Sequence, residues 1–209
     1  MPVTKRSAYH HGDLRATLLR VGLELVAERG INGFTLREVA RRAGVSHAAP
    51  YHHFADRGAL VRAIVAESYG ALAAALEDAA SEGADDPLAR IQAMGEGYVA
   101  FALANPDRYR LMFRTELAGE GSDADDVDRA GAEAFGALVG AVEAAHRAGG
   151  LADDADVSST AAACWATVHG VASLLIDGAL GIRADQPDRA RQLASRLIGI
   201  TLRGLRARV

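Results

Sequence analysis

A short segment in the first third of the chain concentrates side chains that can hydrogen-bond to nucleic acid. His47, Tyr51 and His52 carry polar groups on rigid rings, and Arg57 follows closely. A helix in this segment could offer the three rings to the major groove of a duplex, where base edges present donors and acceptors. The Arg57 guanidinium would suit the phosphate oxygens beside the groove.

The preceding residues predict a first short helix that would help to position this segment. Thr35 and Glu38 have the spacing of a capping box at its start. Gly44 can adopt the positive φ that ends a helix, and Val45 is expected to be the buried plug of the turn. A single apolar stripe would face inward at Leu36, Val39, Ala40 and Ala43.

A second helix is predicted over residues 47–54. Ser46 would cap it, and Pro50 would lie in its first turn, where the missing N–H costs little. Two helices joined by a tight turn form a helix-turn-helix, a motif that places its second helix in the major groove.

Residues 35–60 also follow a spaced pattern, T-x-x-x-I/V-A-x-x-A-G-V-S, then Y-x-H/Y-F, then a basic residue and a leucine. It is matched at Thr35, Val39, Ala40, Ala43, Gly44, Val45, Ser46, Tyr51, His53, Phe54, Arg57 and Leu60. This pattern resembles the DNA-binding domain of the tetracycline-repressor (TetR) family. Ala49, Pro50 and Gly58 depart from the residues common there. The resemblance implies DNA contacts from Thr35, Arg41, Arg42, Ser46, His47, Ala48, Tyr51, His52 and Arg57.

Charge is divided unevenly along the chain. Residues 1–62 contain ten Lys or Arg and five Asp or Glu, a net charge of +5, and the remainder contains thirteen against twenty-two, a net charge of −9. A basic first part fits a protein that meets phosphates with one end. Ordinary variation in surface charge would produce the same division.

Cysteine usage and hydropathy bear on the compartment. The single cysteine, Cys164, excludes an intramolecular disulfide and favours a reducing compartment. The sequence has no uncharged apolar run of about 18 residues and no apolar signal core near Met1. We therefore expect a cytoplasmic protein with no membrane partner.

The composition predicts an all-α fold of about nine helices. Half of the residues are apolar and few are aromatic, and the abundant alanine favours close-packed helices. A long helix from Arg57 to about Ala80 would join an N-terminal helix-turn-helix DNA-binding domain, residues 1–56, to a helical effector-binding and dimerisation domain, residues 57–209. Further helices are expected from Pro87, over Asn105–Leu117, over Asp128–Ala148, from about Asp156 to Gly178, and from about Gln186 to Arg206.

Trp165, His169 and Gly170 spell W-x-x-x-H-G, which is similar to the motif of the TetR-family ligand-binding domains named for Trp-His-Gly. Trp165 and His169 lie about one helical turn apart and can share a face. A mostly apolar effector pocket is expected to be lined by Tyr98, Phe101, Tyr109, Met112, Phe113, Trp165 and His169. The same residues could equally be ordinary core.

Two apolar helices near the end of the chain predict a homodimer. Apolar residues from Val157 to Leu175 repeat at intervals of four and three, the spacing of a coiled coil. Pairing with a second copy about a two-fold axis would form a four-helix interface. Its residues would be Val157, Ala161, Val168, Val171, Leu175, Leu193, Leu197 and Ile200.

The sequence offers no constellation for catalysis, a cofactor or a metal. It contains no G-x-S-x-G, HExxH, Walker or dinucleotide-binding motif. Cys164 and His169 are five residues apart and point to different helix faces. Five of the seven histidines lie within residues 10–53, but no carboxylate or thiol completes a metal site with them.

These observations together predict a ligand-responsive, sequence-specific DNA-binding transcriptional regulator. We expect a homodimeric repressor that binds a pseudo-palindromic operator in double-stranded DNA and is released by a small, largely apolar effector. One alternative is a DNA-binding regulator or architectural protein without an effector, and a more distant one is an all-α enzyme.

Overall fold

The computed structural model describes residues 11–82, 86–114, 122–182 and 186–205, with side chains from residue 14 and, after the second gap, from residue 125. These residues form eight α-helices and one 3₁₀ turn, and none of them lies in a strand. The all-α prediction is therefore confirmed. The helices are α1 His11–Arg29, α2 Leu36–Arg42, α3 Arg57–Glu82, α4 Pro87–Ala104, α5 Pro106–Met112, α6 Ser122–Arg147, α7 Val157–Ile176 and α8 Pro187–Leu205, with the 3₁₀ turn at Ala49–His52.

The chain divides into two compact units. The first contains residues up to Ala66 and the segment 114–127, and the second contains residues 67–113 and 128–209. The division falls inside α3, whose residues belong to the first unit as far as Ala66 and to the second from Glu67. The functional boundary between residues 56 and 57 stays a prediction.

The first unit is built on the close packing of α1 against the start of α3. Leu18, Val21 and Leu25 of α1 are almost completely buried. Gly22 makes the close approach possible, because a Cβ there would lie 2.9 Å from Cδ1 of Ile64 and 3.0 Å from Cδ2 of Leu60. Leu60 and Ile64 both lie on the buried face of α3, so α1 packs against that face.

The turn after α2 and its capping box follow the predictions. Gly30 ends α1 at φ +74° and Gly44 follows α2 at φ +71°, where a side chain would be strained. The capping box is complete: the Glu38 N–H donates to the Thr35 hydroxyl at 3.3 Å, and the Thr35 N–H donates to Glu38 at 2.9 Å. The start and end of α2 are therefore fixed by local sequence.

The second unit has a large apolar core in which α4 packs against α3, α7 and α8. Two glycines of α4 permit this. A Cβ on Gly97 would lie 2.7 Å from Cβ of Ala79, and a Cβ on Gly95 would lie 3.1 Å from both Val168 and Ile198. Side chains at these positions would push the neighbouring helices apart.

Polar residues at the helix ends act as caps, with one change from expectation. Asp86 accepts from the Leu88 N–H at 2.9 Å, and Asp156 accepts from the Ser159 N–H at 2.7 Å. The Asn105 side chain donates to the Phe101 carbonyl at 2.9 Å, so it caps the end of α4 and not the start of α5. The helix predicted from Asp128 begins earlier, at Ser122.

By length and composition, α3 and α7 are apolar enough to cross a membrane. Interior helices of a folded protein pass the same test. Leu72 and Leu76 of α3 and Ala161 and Val168 of α7 are buried in the core of the second unit, as expected for core helices.

Candidate functional site

The segment predicted as the second helix is a 3₁₀ turn, Ala49–His52, rather than an α-helix over residues 47–54. Its hydrogen bonds run from Ala49 N–H to the Ser46 carbonyl at 3.0 Å and from Tyr51 N–H to the Ala48 carbonyl at 3.2 Å. An α-helix starting after Ser46 would need an N–H at Pro50 to reach the Ser46 carbonyl. Proline lacks that donor, so the tighter three-residue bonding replaces it.

This turn presents its polar residues to solvent and its apolar residues to the core. His47, Ala48, Tyr51 and His52 are exposed, with Tyr51 at 52 %. Pro50 and Phe54 are buried beneath them, together with residues of α1 to α3. The expected hydrogen-bonding face therefore exists, although it is carried on a 3₁₀ turn. Val45, expected to be a buried plug, is only half-buried.

Two of the arginines assigned to DNA are already held by groups of the first unit. Arg42 donates to the two carboxylate oxygens of Glu28 at 2.6 and 2.7 Å, and its Nε lies 3.5 Å from Glu24. The Arg42 hydrogen bond is the main cause of the lowered pKa of Glu28. Arg57 donates to the Asn32 carbonyl at 3.1 Å and to its side-chain oxygen at 2.8 Å.

The remaining residues assigned to DNA are at the surface. Arg41 is exposed in the last turn of α2 and forms no ion pair with a residue that the structure describes. Thr35 and Ser46 are exposed as well. Of the two α2 arginines assigned to DNA, Arg41 therefore extends into solvent, whereas Arg42 is held by Glu28.

In the second unit, four of the residues assigned to the effector pocket form a filled aromatic and polar cluster. The hydroxyls of Tyr98 and Tyr109 lie 3.1 and 2.9 Å from Nδ1 of His169, and the Tyr109 hydroxyl is 3.1 Å from Oγ of Ser173. Phe113 packs edge-on against His169 with ring centroids 4.4 Å apart. These contacts join α4, α5 and α7.

Burial favours the uncharged forms of the titratable groups in this cluster. Burial lowers the pKa of His169 below its usual value, because an imidazolium would lose its hydration there. Burial also raises the pKa of Tyr98 and of Tyr109. The cluster therefore holds its hydrogen bonds without a charge.

Tyr69, a residue that was not predicted from the sequence, also belongs to this region. Its hydroxyl donates to the Met112 carbonyl at 3.1 Å, and its ring centroid lies 6.0 Å from that of Phe113. The apolar spacing along α3 does not predict a role for Tyr69. Its partners come from a helix more than forty residues further along the chain.

A small apolar cavity of about 20 Å³ lies between α4, α7 and α8, with Leu76 of α3 and Leu138 of α6 in its wall. Only Tyr98 and Trp165 of the seven expected pocket residues line it; Phe101, Tyr109, Met112, Phe113 and His169 do not. The other lining residues are Leu76, Ile91, Met94, Gly95, Leu138, Cys164, Thr167, Val168, Ile198, Thr201 and Leu202. Trp165 packs edge-on against Tyr98 and Phe135, with centroids 5.2 and 5.5 Å away.

The residues assigned to the dimer interface divide into two groups. Ala161, Val168, Val171 and Leu175 are buried in the core of their own chain, so they are not available to a second copy, and their assignment is corrected here. Val157, Leu193 and Leu197 are half-buried, and Ile200 is 58 % exposed. The four-and-three spacing marks a buried stripe, but it does not say whether the chain itself or a partner buries it.

Some apolar side chains of α7 and α8 nevertheless face outward. Leu174 of α7 is 45 % exposed, and on α8 the half-buried Leu193 and Leu197 lie on the same side as Ile200. Single exposed apolar residues are ordinary. A run of them along one helix face fits association.

Metal ligands do not gather in the described residues, where no three His, Cys, Asp or Glu side chains lie close enough to hold an ion. His47, His52 and His53 neighbour one another in sequence, but no carboxylate completes a set with them.

The chain matches two family models. Residues 18–64 match bacterial regulatory proteins of the tetR family, and residues 91–199 match the tetracyclin repressor-like C-terminal domain. The first range contains the 3₁₀ turn and its exposed face. The second contains most of the residues that line the cavity and the cluster of Tyr98, Tyr109, Phe113 and His169.

Individual relatives agree with these matches. A Rhodococcus protein of unknown function has a solved structure with a TM-score of 0.80 and 37 % identity, over 96 % of this chain and all of that one. The TetR family transcriptional regulator PfmR from Thermus thermophilus, 22 % identical, has the same fold, with a TM-score of 0.69 over 89 % of this chain and 97 % of that one.

Among relatives by sequence, an HTH-type transcriptional regulator of Mycobacterium tuberculosis is 24 % identical over 150 residues. The match covers 69 % of this chain and 62 % of that relative, so the chain spans about three fifths of the length of such relatives. The family, PfmR and the mycobacterial relative are transcriptional regulators rather than enzymes.

Proposed function

Since the chain belongs to the TetR family of bacterial regulatory proteins, we propose that it acts as a homodimeric, sequence-specific DNA-binding repressor in the cytoplasm. Each copy would place residues 46–52 in a major groove. A two-fold dimer then requires a pseudo-palindromic operator, with half-sites about 34 Å apart or a multiple of that distance.

The observation that carries this proposal is the exposed face of the 3₁₀ turn. His47, Tyr51 and His52 point to solvent while Pro50 and Phe54 anchor the turn in the core. A polar face on a rigid support is what direct contact with base edges and phosphates requires. Thr35 and Arg41 would contact the neighbouring phosphates.

Dimerisation is proposed through the outward faces of α7 and α8. Leu174, Leu193, Leu197 and Ile200 supply the apolar surface. This surface replaces the buried stripe of α7 in the sequence-based assignment. Isologous contact of the same surface on two copies would give the two-fold symmetry that a palindromic operator needs.

Release from DNA is proposed to follow binding of a small, largely apolar effector in the second unit. The α3 helix supports such coupling because it is continuous over 26 residues and contributes to both units. A ligand that favours one arrangement of α3 would shift the population of DNA-binding dimers.

The size of the interior cavity favours a second candidate. A volume of about 20 Å³ holds about one water, which fits a DNA-binding regulator or architectural protein that has no effector. A screen of small molecules against the protein–operator complex separates the two candidates: release of DNA by a compound supports the first, and a broad screen without release supports the second.

Selection of bound sequences from random duplex DNA, at fixed salt, tests the DNA-binding proposal. We expect an inverted repeat whose half-sites are spaced by about one helical turn. Binding without sequence enrichment would contradict a specific operator. Recovery of an isolated half-site, without the repeat, would contradict the dimer.

A further inference from the structure

We propose that an open pocket at one end of the second unit binds an amphiphilic monoanion, a carboxylate joined to a short apolar chain. The pocket has a volume of about 370 Å³ and lies where the ends of α4 and α7 meet the starts of α5 and α8. The inference rests on the proposed function, because it assigns the site and the chemical class of the effector. This pocket shares no lining residue with the small cavity beside Trp165.

Most of the pocket wall is apolar and suits a hydrocarbon chain. Leu103 of α4 and Ile176 of α7 are half-buried, and Leu175 of α7 and Ala190 of α8 are buried. Pockets that bind small molecules have volumes of about 300–1,000 Å³. The pocket therefore has room for a small amphiphile as it stands.

Two arginines belong to the same wall, and none of the lining residues that the structure describes is acidic. Arg110 of α5 and Arg191 of α8 both line the pocket. A cationic ligand would be repelled by both guanidinium groups, whereas a carboxylate can accept hydrogen bonds from them. A neutral ligand would contact the apolar wall without using either charge. The charge of the lining therefore favours an anion.

Arg110 is oriented by α7 and still has hydrogen-bond donors to offer. Its Nη2 donates to the Ile176 carbonyl at 3.3 Å and to Oδ1 of Asp177 at 3.1 Å. Its Nη1 forms no hydrogen bond with a residue in the described part of the chain. Because a guanidinium carries five N–H donors, Arg110 can bind a carboxylate through Nη1 without leaving α7.

Arg191 is held less firmly than Arg110. Its Nη1 lies 3.9 Å from Oδ1 of Asp188, and the two side chains are 71 % and 87 % exposed. A long ion pair in contact with solvent contributes little, so a ligand carboxylate can replace it. Asp177 and Asp188 already offset part of the positive charge around the pocket, so one negative charge on the ligand fits better than two.

The position of the pocket is compatible with the proposed dimer and with control of α3. Arg191 precedes Ile200 by about two and a half helical turns, so the two residues lie on opposite sides of α8. The dimer surface that contains Ile200 therefore leaves Arg191 accessible. The helix α4 lines the pocket and packs closely against α3 at Gly97. A ligand held against α4 can thus favour one arrangement of α3.

The experiment uses the full chain without DNA and three probes that share an eight-carbon chain: octanoate, octanol and octylamine. Isothermal titration calorimetry at pH 7.5 measures the affinity of each probe. We expect octanoate to bind roughly tenfold more tightly than octanol, as a hydrogen bond to a charged group provides, and octylamine not to bind. Hexanoate should bind more weakly than octanoate, by at most about fourfold for each CH₂ removed.

Matched variants locate the head group and the chain. Arg191→Gln should weaken the binding of octanoate by roughly three- to tenfold and leave that of octanol unchanged. Arg90→Gln removes the same charge at an exposed position near the start of α4, at the other end of that helix, and should change neither. Ala104 is exposed and lines the pocket, so Ala104→Phe should fill the pocket and weaken the binding of both probes. The unfolding temperature of each variant without probe shows that the fold is intact.

Three results would overturn the inference: octanol or octylamine binding as tightly as octanoate, Arg191→Gln having no more effect than Arg90→Gln, or no binding of octanoate. The operator recovered by DNA selection tests the role of the ligand. Octanoate should release the protein from it, and binding without release would overturn the assignment of the pocket to the effector. If the selection recovers no operator while octanoate binds with the expected preference, the DNA-binding proposal fails and the ligand site stands.

Discussion

The hydroxyl oxygen of Tyr109 lies 2.9 Å from Nδ1 of His169, and this contact joins α5 to α7. The hydroxyl of Tyr98 lies 3.1 Å from the same nitrogen. Because the Tyr109 hydroxyl also donates to the His169 carbonyl at 3.1 Å, the Tyr98 hydroxyl is the one available to donate to Nδ1, and we infer a neutral imidazole that carries its proton on Nε2. Burial, which lowers the pKa of His169, favours the same neutral form.

The neutral state of His169 predicts a pH dependence of stability. The pKa is lowered in the folded chain, so the unfolded chain binds the proton more readily. The free energy of unfolding should therefore fall as the pH drops below about 6.5, the value of an unperturbed histidine. Urea unfolding at pH 7.5 and 5.5 measures this. His169→Asn keeps an acceptor but does not titrate, and it should reduce the difference; an equal difference in both proteins would contradict the assignment.

The pairing of Glu28 with Arg42 predicts that removing the acid strengthens binding to DNA. Glu28→Gln removes one negative charge and releases Arg42 from its two short hydrogen bonds. We expect severalfold tighter binding to duplex DNA at low salt, and a salt dependence steeper by about one counterion. Fluorescence anisotropy across a salt series measures both quantities. Glu77→Gln, an exposed change in the second unit, controls for net charge and should have a smaller effect.

The exposed ring of Tyr51 predicts a loss of DNA affinity without a loss of fold. Tyr51→Ala removes a side chain that is 52 % exposed, so the core should stay intact. Affinity for all sequences should fall by roughly tenfold, as expected for the loss of a phosphate hydrogen bond and its ring support. Tyr51→Phe removes only the hydroxyl and therefore measures its contribution to the affinity. Unchanged affinity of the alanine variant in the same titration would remove Tyr51 from the interface.

Val171 and Ile200 form a matched pair for the dimer. Val171→Asp places a charge in the core, where the side chain is 6 % exposed, and should cost about 3 kcal/mol or more of folding free energy. Ile200→Asp changes a residue that is 58 % exposed. It should yield folded monomers with monomer stability changed by at most about 0.5 kcal/mol. Light scattering measures the oligomeric state, and thermal unfolding measures the stability. A dimeric Ile200→Asp variant would exclude this face of α8 from the dimer interface.

Two helical glycines should respond to alanine in opposite directions. A Cβ at Gly97 would meet Cβ of Ala79 at 2.7 Å, so Gly97→Ala should destabilise the second unit by about 1–3 kcal/mol. A Cβ at Gly70 meets nothing within 4 Å, so Gly70→Ala should stabilise α3 by about 0.5–1 kcal/mol. Urea unfolding of both variants measures the sign of each change in the free energy of unfolding. A Gly97→Ala variant as stable as the parent would contradict the close packing of α3 and α4.

Features set by neighbouring residues were predictable from sequence. The capping box of Thr35 and Glu38 and the helix end at Gly44 depend on spacing within one turn of the chain. The 3₁₀ turn was equally local and was still mispredicted. Pro50 stands four residues after Ser46, where the first α-helical hydrogen bond would form, and not at the position where proline costs little.

The sequence by itself determined the helical fold, the helix-turn-helix and the family, because periodicity, caps and short motifs act between residues that are close along the chain. Only the tertiary structure decided which partner each apolar or charged side chain meets. Val171 faces its own core and Ile200 faces outward, Arg42 is held by Glu28, and Tyr109 fills the space beside His169. A helix pattern shows that a face is buried, but the packing of distant segments determines what buries it.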